Sequence, residues 1–158
     1  MRISLVAVGT KMPAWVSTAF DVYRKRMPKQ CQLELVEIPA RHRGKNADIN
    51  RILRDEAEAI EAAIKPQTLI VSLDRKGRNI DTLELSRLQQ EWIDLNQDVA
   101  LIIGGPEGIA PQLIAKSNQV WSLSAMTFAH PLVRVMVAEQ LYRGWSIIAN
   151  LPYHRGGE

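Results

Sequence analysis

Cysteine is almost missing from this chain. Cys31 stands alone among 158 residues, so no internal disulfide can form, and no Cys/His cluster has zinc-ligand spacing. No metal is expected, and a reducing, cytoplasmic setting fits that usage. Long hydrophobic runs are lacking too. The opening run Ile3 to Val8 is too short for a signal peptide and meets no cleavage-site pattern. Nothing approaches the length that spans a bilayer, so no membrane partner is expected. The Gly-x-x-x-x-Gly-Lys-Ser/Thr spacing is absent, which excludes a phosphate-loop nucleotide triphosphatase. The Gly-x-Gly-x-x-Gly fingerprint is absent as well, which argues against the usual dinucleotide crevice. There is no internal repeat, no low-complexity segment and no sign of a second core. Residues 1–158 read as one domain, long enough to bury its own apolar interior.

What the chain does have is an uneven charge. The net charge of +3 divides into a basic amino-terminal third and an acidic remainder. Residues 1–54 hold 11 Lys/Arg against 4 Asp/Glu. The excess gathers in Arg24-Lys25-Arg26 with Lys29, and in Arg41, Arg43, Lys45, Arg51 and Arg54. Clustered cations suit a phosphate backbone, because each neutralised phosphate releases counterions; a solvated basic surface is the plainer alternative.

Strand and helix patterns alternate along the sequence. Ile3 to Val8 reads as a buried strand ending at Gly9, and Leu33 to Ile38 as a second, although Glu34 and Glu37 interrupt its alternation. Between them Trp15, Val16, Ala19, Phe20 and Tyr23 recur at helical spacing after Pro13. Ala40 to Asn46 reads as a basic loop, either an RNA-phosphate contact or mobile surface. Asn46 is placed to cap a helix whose stripe is Ile49, Ile52, Leu53, Ala57, Ile60 and Ile64. Leu69 to Leu73 is a third strand that runs into a polar loop, Asp74 to Arg78. Asp81 with Glu84 three residues on starts a helix. Val99 to Ile103 is a fourth strand, Pro111 to Ser117 a short helix, and Val120 to Leu123 a fifth strand. The last helix, from Pro131 to about Ile148, is apolar around most of its circumference and must be buried on several sides, which a symmetric dimer would achieve. The pattern predicts an α/β fold, a mostly parallel sheet flanked by helices.

Leu101 to Arg134 is the stretch around which a site can form. Gly104, Gly105 and Gly108 follow the fourth strand directly, where they can turn the chain sharply or let a ligand reach the main chain. In open α/β sheets ligands sit at the carboxyl ends of strands.

Several motifs together resemble one family. They are Leu-Val-Ala-Val-Gly-Thr-Lys-Met-Pro at 5–13, Arg-Gly-Lys-Asn-Ala-Asp-Ile at 43–49, Leu-Ile-Ile-Gly-Gly-Pro-Glu-Gly at 101–108, Ser-Leu-Ser-Ala-Met-Thr-Phe-Ala-His-Pro-Leu-Val-Arg-Val at 122–135, Glu-Gln-Leu-Tyr-Arg at 139–143 and Pro-Tyr-His-Arg at 152–155. The chain resembles the RlmH (YbeA) family of SPOUT methyltransferases essentially from end to end. The resemblance implies a homodimer and a deep trefoil knot at the carboxyl end, in roughly residues 70–158, with the last helix threaded through a loop of earlier residues. Ordinary connection rules argue against knots. The implied activity is methyl transfer from S-adenosylmethionine to N3 of a pseudouridine in 23S rRNA of the assembled 70S ribosome, in a stem-loop at the subunit interface. Carried over position by position, the implied cofactor site is Leu73, the Gly104–Gly105 turn, and the loop Leu123, Ser124, Ala125, Met126, Thr127 and Phe128. Leu73, Leu123, Met126 and the glycine main chain would clamp the adenine.

The chemistry needs an aligned nucleophile, an acceptor for the N3 proton and a cation for the charge that develops on the flanking carbonyls. His154 is the candidate acceptor, since imidazole titrates near neutrality. Arg155 or Arg134 could hold the oxyanion or a phosphate, and Tyr153 completes the set. Arg143 follows Glu139 by four residues, the spacing of a helical ion pair, and His130 can serve as a turn or cap. The tail Tyr153-His154-Arg155 is expected to be ordered by the dimer and to reach the partner's cofactor site. Two other functions share the basic surface: a non-catalytic ribosome-associated RNA-binding protein, and a SPOUT methyltransferase acting on tRNA.

Overall fold

The computed structural model describes residues 1–155. Strands and helices alternate throughout: β1 (Arg2–Val8), α1 (Ala14–Arg24), β2 (Gln32–Ile38), α2 (Ile49–Ala63), β3 (Leu69–Asn79), α3 (Thr82–Asp94), β4 (Val99–Ile103), α4 (Pro111–Lys116), β5 (Gln119–Ser122) and α5 (His130–Ile148). The strands form one sheet in the order β2-β1-β4-β3-β5, with every pairing parallel. Parallel strands buried on both faces read as continuous apolar runs, and β1 and β4 show why. Ile3, Leu5 and Ala7, with Val99, Leu101 and Ile103, face one core together with Phe20, Trp92, Val137 and Leu141. Val6, Val8, Ala100 and Ile102 face the other, against Ala57, Ile60 and Leu113. Helices α1, α3 and α5 thus cover one face and α2 and α4 the other.

Glu37 breaks the apolar pattern of β2 for a reason. It is the counter-ion of Arg134, which is 1% exposed and whose Nη1 donates to Glu37 Oε2 at 2.7 Å. Glu34, the other interruption, accepts from Ser4 Oγ at 2.9 Å. Two local expectations change. Asp48, not Asn46, caps α2, its side chain accepting from the Arg51 N–H. The polar segment after Leu73 is not a loop: β3 continues to Asn79, and Arg78 pairs with Trp121 across an irregularity. Gly77 makes that approach possible, since a Cβ there would lie 2.6 Å from the Trp121 carbonyl carbon. Asp81 caps α3 as expected, accepting from the Glu84 N–H at 2.7 Å. No helix among the described residues is long and apolar enough to cross a membrane.

Candidate active site

Where β3 and β5 end, the sheet opens into a cavity of about 340 Å³ bounded by α3 and α5. Its walls are apolar: Leu73, Leu101, Trp121, Leu123, Val137 and Leu141. Trp121 is held flat by Trp92 behind it, the rings stacked at 6.1 Å. Polar groups stand at the start of α3 and along α5. Asp81, Thr82 and Gln140 line the cavity, and Thr82 Oγ1 donates to Gln140 Oε1 at 2.7 Å. An apolar hollow with a few fixed polar groups is the usual form of a small-molecule site.

Of the nine expected cofactor residues, Leu73 and Leu123 line this cavity and the other seven do not. Gly104 and Gly105 continue β4 into a tight turn closed by the Gly108 N–H donating to Gly105 O at 2.9 Å. The turn needs its first glycine, because a Cβ on Gly104 would lie 2.4 Å from Gly108 O. Ser124 Oγ accepts from the Met126 N–H, and Thr127 Oγ1 accepts from Arg75 Nη1 at 2.6 Å. Ala125 is exposed and Phe128 half-buried. Met126 is 69% exposed and does not line the cavity, whereas Trp121 and Leu141 do.

Arg134 does not reach this site. Its three nitrogens are engaged inside the fold: Nη1 on Glu37, Nη2 on Gly9 O at 2.7 Å, and Nε on His130 Nε2 at 3.0 Å. A buried guanidinium is tolerable when each direction has a partner. His130 Nδ1 in turn lies 3.2 Å from Gly104 O. That arrangement requires the neutral tautomer with the proton on Nδ1, donating to Gly104 and accepting from Arg134. Burial, and then the charge of Arg134, push the imidazole pKa down, which agrees. Arg134 and His130 therefore position the glycine turn.

The basic loop between β2 and α2 is also partly committed. Arg43, expected to contact RNA or to be mobile, bonds Glu56 and Glu107.

The tail follows the carboxyl end of α5 and folds back along that helix, so that Tyr153 meets Glu139, the neighbour of Gln140 in the cavity wall. Tyr153 packs edge-on against Tyr142 at 4.7 Å and under the Arg143 guanidinium at 4.8 Å, and its hydroxyl donates to Glu139 Oε1 at 3.1 Å. Glu139 binds Arg143 as the four-residue spacing implied. Arg143 Nη1 also reaches His154 Nδ1 at 3.4 Å. Burial, with Tyr23 and Glu139 nearby, raises the Tyr153 pKa well above the ordinary phenol range. Tyr153 is therefore a hydrogen-bond donor and not a base. Arg26, from the basic cluster beyond α1, lies 5.6 Å over the Tyr142 ring, so the tail and that cluster share one region.

Comparison with known proteins agrees with this architecture. Residues 1–154 match the family model described as "Predicted SPOUT methyltransferase". The Ribosomal RNA large subunit methyltransferase H of Thioalkalivibrio sulfidiphilus (strain HL-EbGR7) is 52% identical over 155 residues, 98% of this chain and 99% of that protein. The chain belongs to the RlmH family of SPOUT methyltransferases. Two solved structures share its fold at low identity. A probable methyltransferase from Bordetella pertussis Tohama I has a TM-score of 0.60 and 16% identity, over 90% of this chain and 95% of its own. A probable methylase family protein from Haemophilus influenzae Rd KW20 has a TM-score of 0.57 and 12% identity, over 99% and 71%.

For a SPOUT methyltransferase, the residues that sequence reasoning missed lie around the start of α3 and along α5. Ile80, Thr82 and Met136 line the cavity but fall in none of the quoted motifs, and Gln140 lines it from within the 139–143 motif. The near-continuous apolar circumference of α5 was the available signal, because part of it faces the cavity and not the core.

Proposed function

We propose that this protein transfers a methyl group from S-adenosylmethionine to N3 of a pseudouridine in the 23S rRNA of the assembled 70S ribosome. The carrying observation is the apolar cavity at the ends of β3 and β5 in a chain of a methyltransferase family. Its residues suit that cofactor: the flat wall of Trp121 with Leu73, Leu101 and Leu123 for the adenine, and the Asp81 carboxylate for the cationic end. When bound, the cofactor supplies an activated methyl on a sulfonium. The chain's own residues do the rest. The Gly104–Gly105 main chain and the 123–128 loop hold and orient it, and the apolar walls exclude water.

The proposed site consists of the cavity and the tail, and a homodimer completes it. In this reading the tail of one protomer, held against its own Arg143, serves the cavity of its partner. Trp15, Val22 and Leu132 remain exposed on α1 and α5, two helices that pack together, which supports an interface there. His154 accepts the N3 proton. Arg155 offsets the charge that develops on the base, and Tyr153 donates a hydrogen bond. The reading includes a carboxyl-terminal trefoil knot in roughly residues 70–158 and a cytoplasmic site of action.

The test is transfer of tritium from labelled S-adenosylmethionine to 70S ribosomes, 50S subunits, naked 23S rRNA and bulk tRNA, with ribosomes from a strain lacking the gene. Label confined to large-subunit RNA of assembled ribosomes, at N3 of one pseudouridine, is expected. Label in tRNA overturns the choice of substrate. His154→Ala with full single-turnover methylation would remove that residue from the mechanism.

A further inference from the structure

Arg43 is the one residue of the basic 40–46 loop seen bracing the glycine turn. Its Nε donates to Glu107 Oε2 at 2.7 Å, its Nη2 to Glu56 Oε1 at 2.5 Å, and its Nη1 to the Arg41 carbonyl at 2.8 Å. Glu56 is on α2 and only 3% exposed, so it is a fixed anchor. Glu107 is at the exposed tip of the Gly105–Gly108 turn. Burial works against the Arg43 charge, but Glu107 and Glu56 outweigh it and raise the pKa. The guanidinium also fills the space beside Gly105, where an added Cβ would lie 2.8 Å from Arg43 Nη2. None of Arg43, Glu56 and Glu107 lines the cavity. The turn is held from two directions, by His130 at Gly104 O and by Arg43 at Glu107.

We propose that Arg43 is a positioning residue for S-adenosylmethionine: by bracing Glu107 against buried Glu56, it fixes the Gly104–Gly108 turn in the shape that offers its main chain to the cofactor. This rests on the methyltransferase reading above. The basic loop then serves the cofactor as well as any RNA.

Calorimetric titration of S-adenosylmethionine into the wild-type chain, Glu107→Gln, Glu107→Ala and the double variant Arg43→Ala/Glu56→Gln tests it. The double variant avoids leaving a buried carboxylate unpaired. Loss of one charge-assisted hydrogen bond predicts a dissociation constant raised about five- to tenfold in Glu107→Ala, with a smaller rise in Glu107→Gln, whose amide oxygen still accepts. The KM for S-adenosylmethionine should rise with kcat at saturation and the KM for ribosomes unchanged. In the cofactor-free chain, amide exchange at Gly108 should quicken in Glu107→Ala while its melting temperature stays that of wild type. Equal dissociation constants in a series whose wild type binds normally overturn the inference alone. A raised KM for ribosomes with unchanged cofactor binding overturns it in favour of an RNA contact. A wild-type chain that binds no S-adenosylmethionine overturns both readings.

Discussion

At the scale of single residues, the glycine turn and the histidine beside it carry the sharpest expectations. Gly104→Ala forces a Cβ against Gly108 O, and that contact is backbone, which cannot swing away. The substitution should cost about 1–3 kcal/mol of stability, as overpacking does, and abolish saturable cofactor binding; urea denaturation and calorimetry check the two effects. His130 predicts a pH dependence. Its pKa is lowered from 6.5 in the folded chain, so below that value the unfolded chain binds a proton there that the folded one does not. Stability should therefore rise with pH towards 6.5 and level off above it. His130→Gln should flatten the slope of melting temperature against pH between 5 and 6.5. The glycines were legible because turn chemistry is local. The commitment of Arg134 was not: its partners Gly9 and Glu37 lie about a hundred positions away in sequence, and only the pairing of β1 with β2 beneath α5 brings them together. Arg134 and the tail residues look alike in sequence, but burial separates them.

At the scale of elements, β4 and α5 show what periodicity can and cannot reveal. The five residues of β4 were legible to the end because a buried parallel strand is apolar throughout. The extension of β3 was not, since Asp74 to Asn79 is polar and is held by pairing with β5 across Gly77. Helix α5 was visible as a buried helix, but its contact with α3 turns on a residue that periodicity ignores. Gly144 lies against Gln89, whose Nε2 donates to Leu141 O at 3.0 Å, and a Cβ at Gly144 would fall 1.9 Å from Gln89 Oε1. Gly144→Ala should improve helix propensity in isolation yet destabilise the protein by about 1–3 kcal/mol, because the fully buried Gln89 amide must shift and give up its bond to Leu141 O. A lower urea midpoint with an unchanged slope would show it. Since Leu141 and Gln140 line the cavity, the same variant should also weaken cofactor binding.

At the scale of the whole molecule, the expectations concern assembly and charge. Sedimentation equilibrium at micromolar concentration should return twice the 17.8 kDa chain mass, and Leu132→Asp, at an exposed apolar position of α5, should lower it. The cluster Arg24-Lys25-Arg26 adjoins the tail. Replacing all three with alanine should raise the KM for ribosomes and lessen its dependence on salt, while leaving the cofactor dissociation constant unchanged. Fold class could be read from the chain because continuous apolar runs alternate with helical stripes. The order β2-β1-β4-β3-β5 could not, and it has a consequence in time. β1 leaves the ribosome first, but its central neighbour β4 pairs Ile3 with Val99. While the chain is being made, the first strand has only β2 beside it for most of synthesis. Closing the sheet is a late, long-range event, and topologies of this kind fold slowly. A nascent chain stalled before Val99 should hold β1 with one edge open, a natural client for a chaperone at the tunnel exit.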